Sequence, residues 1–551
     1  MGLIDWSILA IYLFVNLLVG FRQSKSVTTS NEFFLGNRSS PWWALGVSVM
    51  ATYVSALSFL GGPAWAYNDG LATLAIHLNY PIVVFVCIVF FIPVFYRSNS
   101  ISIYEYLEKR FGLGSRLLMS ALFMATMVLG ASSILTATSI AVSLITGLSE
   151  QVCIIILTTF VVFYTMLGGM NAVIWTDVIQ GIVLVFGATI ILGLLLSGSD
   201  QVSSVLSYLN QNNKLTTINL DFNFSEVTTI WAGVIAMSMY HTTVYGTNQF
   251  MMQRAMAAKT IGDAKKAYLM MGYSAFFLYF FFFFIGVLLF AHFEGEPFDQ
   301  QNSIVLVYIQ QLALPGLMGL VIAAILSASL SSTSSALNSL STVLIVDFYK
   351  KFFVISATDS HYLRASRIFT IVWGIVLIPF AFSFQGESGS ILEVLSRVSS
   401  YLVGAKLSIF LLAFFSKNIL ENDIFLGVFA SLVALLMIAP FQFLEPLIDS
   451  LWAGLGLSRP EIAWPWYVVI ATSTNVLVSW LSSLFRKKPV KTWHPLSIKG
   501  IRSKSIVRGT KSENDWSDIP GEVDRSVWLL LIFFMASIGV LYVFDAFFAI
   551  P

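Results

Sequence analysis

This chain has little charge and almost no cysteine. Asp, Glu, Lys and Arg make up 11% of its 551 residues, whereas 57% are apolar. Water-soluble domains carry about 25% charge, and a soluble fold has too little interior to hide so much Phe, Leu and Ile. The two cysteines, Cys87 and Cys153, both lie in apolar runs, which excludes a disulfide framework and a zinc site by number alone. A formal net charge of +1 gives no bias toward nucleic acid or an acidic partner. Paired catalytic carboxylates, His clusters at metal spacing and a phosphate-cradling Gly loop are all missing, so the chain does not read as an enzyme. It also lacks a secretory signal. The first apolar run is preceded by Asp5 and followed by Arg22 and Lys25, the reverse of a signal peptide's charge order.

Long apolar runs are what the chain has in abundance. A bilayer core of about 30 Å needs about 20 apolar residues per helix. Fourteen runs qualify, near 5–21, 42–66, 71–96, 115–146, 152–167, 172–197, 228–250, 267–292, 315–346, 366–384, 390–415, 422–444, 464–484 and 526–549. Lipid gives the backbone no hydrogen-bond partners, so the spans must be helices. The expected fold is an all-α polytopic membrane protein in a plasma or inner membrane. With the N-terminus outside, alternate connections hold nearly all of the 30 Lys and Arg residues. The exceptions are Lys214 and Arg459 on the other side, and Arg397 and Lys406 within the eleventh run. That asymmetry obeys the positive-inside rule and places both termini outside. The polar stretch 485–525, rich in Lys and Ser, then lies inside and reads as a solvated, partly disordered loop, with a regulatory element as the alternative.

Three spans are not uniformly apolar. The second holds Ala51, Thr52, Tyr53, Val54, Ser55 and Ser58, followed by Gly61, Gly62 and Pro63. This composition suits a helix broken within the bilayer, whose freed carbonyls can hold a cation, or a close packing seam of small residues. The seventh ends in a polar stretch with Tyr240, His241, Thr242, Tyr245, Asn248 and Gln249. If spans 2–6 and 7–11 form two halves, these interrupted helices correspond, which is the best sequence pointer to a substrate site. The ninth carries ten hydroxyl residues between Ser327 and Thr342. Ala328, Ser331, Ser332 and Ser335 share one helix face, and uncharged hard oxygens suit a small monovalent cation better than calcium.

Ionisable groups inside spans are costly and mark pathways. Asp177 opens the sixth span, where it can cap a helix or face an ion. Arg397 and Lys406 lie about 13 Å apart along one helix, on opposite faces. Either can attract an anionic substrate or pair with an acid such as Glu393. His77 and His241 are lone histidines, either hydrogen-bonded in place or forming a proton relay.

These stretches resemble the sodium:solute symporter family, from Asn31 to about Lys417. The similar blocks are Asn31-Glu-Phe-Phe-Leu-Gly36, Pro93-Val-Phe-Tyr-Arg97, Tyr104-Glu-Tyr-Leu-Glu108, Gly168 to Asp177, Asn248-Gln249, Gln253-Arg254 and Ser331 to Ser339. The resemblance implies a leucine-transporter-like core of two inverted five-helix repeats, about 41–200 and 226–416, within a transport core of 41–421. A first helix and inner loop (1–40) precede it, and three peripheral helices (422–551) follow. It implies a sodium site made by backbone carbonyls of Ala51, Val54 and Ala328 and the hydroxyls of Ser331 and Ser332. A second site, found in some members, would use Ser334, Ser335 and Asp177. Sugar contacts of bacterial members do not carry over. His77 stands where they have an acid, Ala275 where they have a lysine, and Gly130 where sialic-acid members place an arginine. The chain is most similar to the iodide, multivitamin and monocarboxylate branch. The expectation is sodium-coupled import of a small organic anion by alternating access, with a sugar or sialic acid as the alternative substrate and proton coupling as a second alternative. Tyr53, Ser55, Ser58, His77, His241, Thr242, Tyr245, Asn248, Arg397 and Lys406 are the candidate substrate contacts.

Overall fold

A computed structural model describes residues 1–24, 27–98, 100–197, 202–385, 391–439, 444–485, 492–508 and 516–548, without the side chains of 391–395, 398 and 505–508. Helices are the only regular structure among these residues, as a lipid solvent demands. The first is α1 (Leu3–Ser24). The second expected span is two helices, α2 (Trp42–Tyr53) and α3 (Gly62–Asp69), the latter entered through a π-helical turn at Leu57–Gly61. The third contains α4 (Tyr80–Val86), a π-helical turn at Cys87–Phe91, and α5 (Ile92–Ser98). The short helix α6 (Tyr104–Arg110) leads into α7 (Leu113–Thr146) and α8 (Glu150–Ser197). In the second half, α9 (Met237–Thr242) and α10 (Gln249–Met256) flank a second break, followed by α11 (Ile261–His292), α12 (Leu317–Val343), α13 (Asp359–Ser383) and α14 (Ile391–Phe415). Beyond these lie α15 (Glu421–Ile438), α16 (Pro465–Leu484), α17 (Ile498–Arg508) and α18 (Arg525–Phe548).

Ten helical stretches among the described residues are long and apolar enough to cross a membrane, and Ser399–Phe415 is a shorter apolar one. The difference from fourteen runs is one of continuity. Runs 152–167 and 172–197, together α8, are two helices that meet without a loop at a sharp kink, Gly169 (φ 55°, ψ −149°). Glycine is needed there, because a Cβ would stand 2.6 Å from the Phe33 carbonyl oxygen. The second half of run 42–66 and the run 71–96 form one helical stretch, Leu57–Ser98. Run 228–250 is helical from Ala232 through Thr247, where α and π turns follow one another, and breaks at Asn248 (φ −98°, ψ 130°).

The hydroxyl-rich α12 sits at the centre. It packs on α8, α7 and α1, and nearly every residue in it is buried. Outer helices expose apolar side chains instead, among them Phe14, Phe429 and Met535. This inversion, polar inside and apolar outside, is stable only where the surrounding solvent is lipid. The expected solvated loop at 485–525 is only partly that. Residues 486–491 and 509–515 lie outside the description. Ser497, Ile498, Ile501 and Asp524 are buried against the helical bundle, because buried cationic and carbonyl groups at the bundle's end find their partners in this segment.

Close helix contact depends on residues without side chains. A Cβ at Gly286 of α11 would lie 2.3 Å from the Pro63 carbonyl oxygen of α3. Gly286→Leu should therefore destabilise the protein by about 1–3 kcal/mol, seen as earlier thermal unfolding in detergent. A parental melting curve would contradict this close approach.

Candidate functional site

The site begins where α2 stops. Val54 has φ −76° and ψ 90°, an extended conformation that ends the helix in the middle of a span. The carbonyls of the final turn, from Ala51 to Tyr53, thereby lose their helical donors. Ser332 of α12 answers one of them. Its hydroxyl donates to the Thr52 carbonyl at 2.7 Å and lies 3.1 Å from the Ala328 carbonyl of its own helix. The predicted crossing of the second and ninth spans is thus present, with Ser332 as its bridge. All the oxygens gathered there belong to backbone carbonyls and hydroxyls. That donor set fits a small hard monovalent cation.

One turn away lies a carboxylate. Asp177, fully buried on α8, accepts from Ser331 (2.6 Å), Ser48 (2.5 Å) and Thr52 (3.2 Å). It also pairs at 3.0 Å with Arg254 of α10, itself buried. Arg254 donates further to the Ser48 hydroxyl (2.8 Å), the Phe250 carbonyl (2.7 Å) and the Ser335 hydroxyl. The second expected sodium set is therefore divided. Asp177 and Ser335 come together, but the guanidinium stands between them, and Ser334 turns to the Ser331 carbonyl (3.1 Å). In this arrangement the second set does not fit a sodium ion. Arg254 was visible in the sequence only as part of a family block. The available signal was an arginine adjoining the polar end of the seventh span, which must be paired if buried.

A cavity of about 130 Å³ adjoins the crossing, and Ser332 and Thr52 belong to its wall. Tyr53, Ser55, Ser58, Asn248 and Lys406 line it, together with Thr126, Gly130 and Tyr279. Lys406 is buried, and its ammonium donates to the Asn248 side-chain oxygen (2.9 Å) and the Thr126 hydroxyl (3.0 Å). It has no acidic partner among the described residues. The side chain of Glu393, the acid named in the sequence reading, lies outside the description. Arg397 is exposed and is not part of the cavity wall. Opposite faces of one helix explain the split between the two cations.

His77, His241, Thr242 and Tyr245 are buried but do not line the cavity. The His241 ring bonds Asn79 (2.7 Å) and the His77 ring bonds Tyr80 (3.0 Å). Tyr53, a cavity residue, makes edge contact with His241 and a tilted contact with Tyr245, so these groups form an aromatic layer behind it. A larger cleft of about 540 Å³ at the start of α1 shares no residue with this cluster.

Broken helices, a buried oxygen cluster and an adjoining cavity define a membrane transporter. Residues 33–430 match the model of the sodium:solute symporter family, and the chain belongs to that family. It is 28% identical to the sodium-dependent multivitamin transporter of Oryctolagus cuniculus, over 87% of this chain and 76% of that one. It is 26% identical to sodium-coupled monocarboxylate transporter 2 of Mus musculus, over 86% and 76%. Its structure is similar to that of a substrate-bound, outward-open Na+-coupled sialic acid symporter, with TM-score 0.78 and 27% identity over 89% of this chain and 99% of that one. The protein is a multi-pass membrane transporter that uses sodium, and not an enzyme.

Removing Arg254 would leave the Asp177 carboxylate buried without a counter-charge. Such a loss costs about 3–5 kcal/mol. Arg254→Met should unfold well below the parent temperature, and adding Asp177→Asn should recover much of the difference. Equal melting of both variants would show that the pair is not coupled.

Proposed function

We propose that this protein imports a small organic monoanion, monocarboxylate-like, together with sodium. The observation that carries this reading is Lys406, a buried ammonium without an acidic partner among the described residues, in the wall of a small cavity that shares Ser332 with the oxygen cluster. A carboxylate placed there would gain a charge-assisted contact and relieve an unpaired buried charge. Gly130, where the family resemblance places the arginine of sialic-acid members, lines the same cavity and has open space around it. Lys406 then supplies from α14 the positive charge that Gly130 cannot. The cavity's size also favours a small acid over a sugar or a sialic acid.

Sodium would be held by the Ala51, Val54 and Ala328 carbonyls and by Ser331 and Ser332. When bound, the ion would supply positive charge to the oxygens of the α2 break and of the facing helix α12, and it must favour one conformation to couple transport at all. Because Arg254 lies between Asp177 and Ser335, one sodium per cycle is the stoichiometry supported while that contact holds. The hydrogen bonds of His77 and His241 support structural roles for both over a proton relay. Around this site we take the chain as fourteen crossings with both termini outside. Its inverted repeats span about 41–200 and 226–416 within a 41–421 core, followed by three peripheral helices.

Uptake into proteoliposomes tests the reading. Radiolabelled C2–C4 monocarboxylates should enter with an inward sodium gradient and not when choline replaces sodium. Lys406→Met should raise the half-saturating anion concentration roughly ten- to hundredfold. Ser332→Ala should raise the half-saturating sodium concentration several-fold, and Ser334→Ala should not. Unchanged anion affinity in Lys406→Met would overturn the substrate assignment.

A further inference from the structure

The segment between α16 and α18 makes contacts that a passive linker would not make. Lys265, in the second turn of α11, is fully buried. Its ammonium pairs with Asp524 and donates to the Ser517 carbonyl at 2.6 Å, both in this segment. The Ser517 N–H bonds the other oxygen of Asp524 (2.7 Å), so 517–524 closes on itself around the lysine. Arg97, at the end of α5, pairs with Asp518 at 2.8 Å. Trp516 lies over Gly262, where a Cβ would come within 2.8 Å of the indole. The backbone takes part as well. Pro93 has no N–H to give the Val89 carbonyl four residues earlier. The Gly521 N–H reaches that carbonyl at 2.9 Å.

A second contact lies further back in the segment. The Leu496 carbonyl accepts from Tyr106 of α6 at 3.0 Å. In turn α6 is fastened to the end of α14, where Arg110 donates to the carbonyls of Ala413 (3.2 Å) and Ser416 (2.8 Å). One segment therefore ties α5 and α11 to α6, and through α6 to α14, the helix that carries Lys406. These helix ends all belong to the face with the basic connections, which the orientation adopted above makes the inner one.

We propose that residues 492–508 and 516–524 form a two-part strap that latches the inner end of the transport path. Inward release of solute then requires the Lys265, Arg97 and Val89 contacts to yield. The strap thereby sets how readily the inner side opens. The inference rests on the symport reading for its orientation, not for its contacts.

The test uses the full chain in membrane vesicles of either orientation. Cys87→Ser and Cys153→Ser remove the native thiols, and Met127→Cys, in the cavity wall, reports access. A charged, impermeant maleimide is applied to one face at a time. Lys265→Met with Asp524→Leu replaces the buried pair by apolar groups of similar size, a change that buried pairs often tolerate. Arg97→Gln removes the partly exposed contact with Asp518 and guards against misfolding of the first variant. Both should label several-fold faster than the parent from the inner face and no faster from the outer one. Parental rates from the inner face in both variants, or equal acceleration from both faces, would overturn the strap. Sodium is varied in the same assay. Labelling that ignores sodium while the strap variants still accelerate it would sink the symport reading and leave the strap standing.

Discussion

A backbone carbonyl released within a bilayer needs a new partner, and this constraint shapes the structure at each place where function is expected. In lipid the cost of an unmet carbonyl is several kcal/mol. The break after Tyr53 therefore cannot be a simple loss of helix. It persists because Ser332 reaches the Thr52 carbonyl from another element. Once that arrangement exists, the remaining carbonyls of the turn are concentrated beside hydroxyls with no lipid near them. The same need recurs at Val89, where the proline four residues on has no donor to offer and Gly521 provides one.

Charges obey a parallel rule with a higher penalty. Asp177 has Arg254, Asp347 has Arg116, and Lys265 has Asp524. Each pair joins elements distant in sequence, so each pins parts whose relative position matters. Arg116 also engages Glu105 and Glu108, and Lys351 engages Glu108, which extends the Asp347 pair into a network at the basic end. Against this background Lys406 stands apart. Two neutral oxygens solvate its ammonium but do not neutralise it. A buried cation left in that condition is costly unless something anionic completes it, and the cavity beside it is the place where that can happen.

What could be read from the chain alone follows from the range of each signal. The breaks at 51–63 and 242–249 were legible because Gly, Pro and hydroxyl residues are local interruptions of a lipid-soluble run. The serine face of α12 was legible through helical periodicity. The way the spans join was not, because two helices abut at the Gly169 kink within α8 and Leu57–Ser98 runs through the turn between two expected spans. Arg254 belonged to a recognisable block, but its partners lie 77 and 206 residues away. The docking of 492–508 and 516–524 was hidden for a different reason. Its composition is that of a solvated loop, and only the buried Lys265 on another helix gives Asp524 a place in the interior. The division between Lys406 and Arg397 was foreshadowed by their spacing, but which one faced the cavity depended on neighbours that spacing does not specify.

Coupling between ion and solute requires that each feel the other's presence, and the geometry offers a short route for it. Ser332 belongs at once to the wall of the cavity and to the bridge across the α2 break. An ion that orders the break fixes Thr52, Tyr53 and Ser55, three residues of the cavity wall. A solute that settles against those residues holds the break in turn. Linkage makes the two effects equal in free energy. No long path through the protein would be needed, because the proposed binding surface for one ligand is the backbone that the other ligand would stabilise.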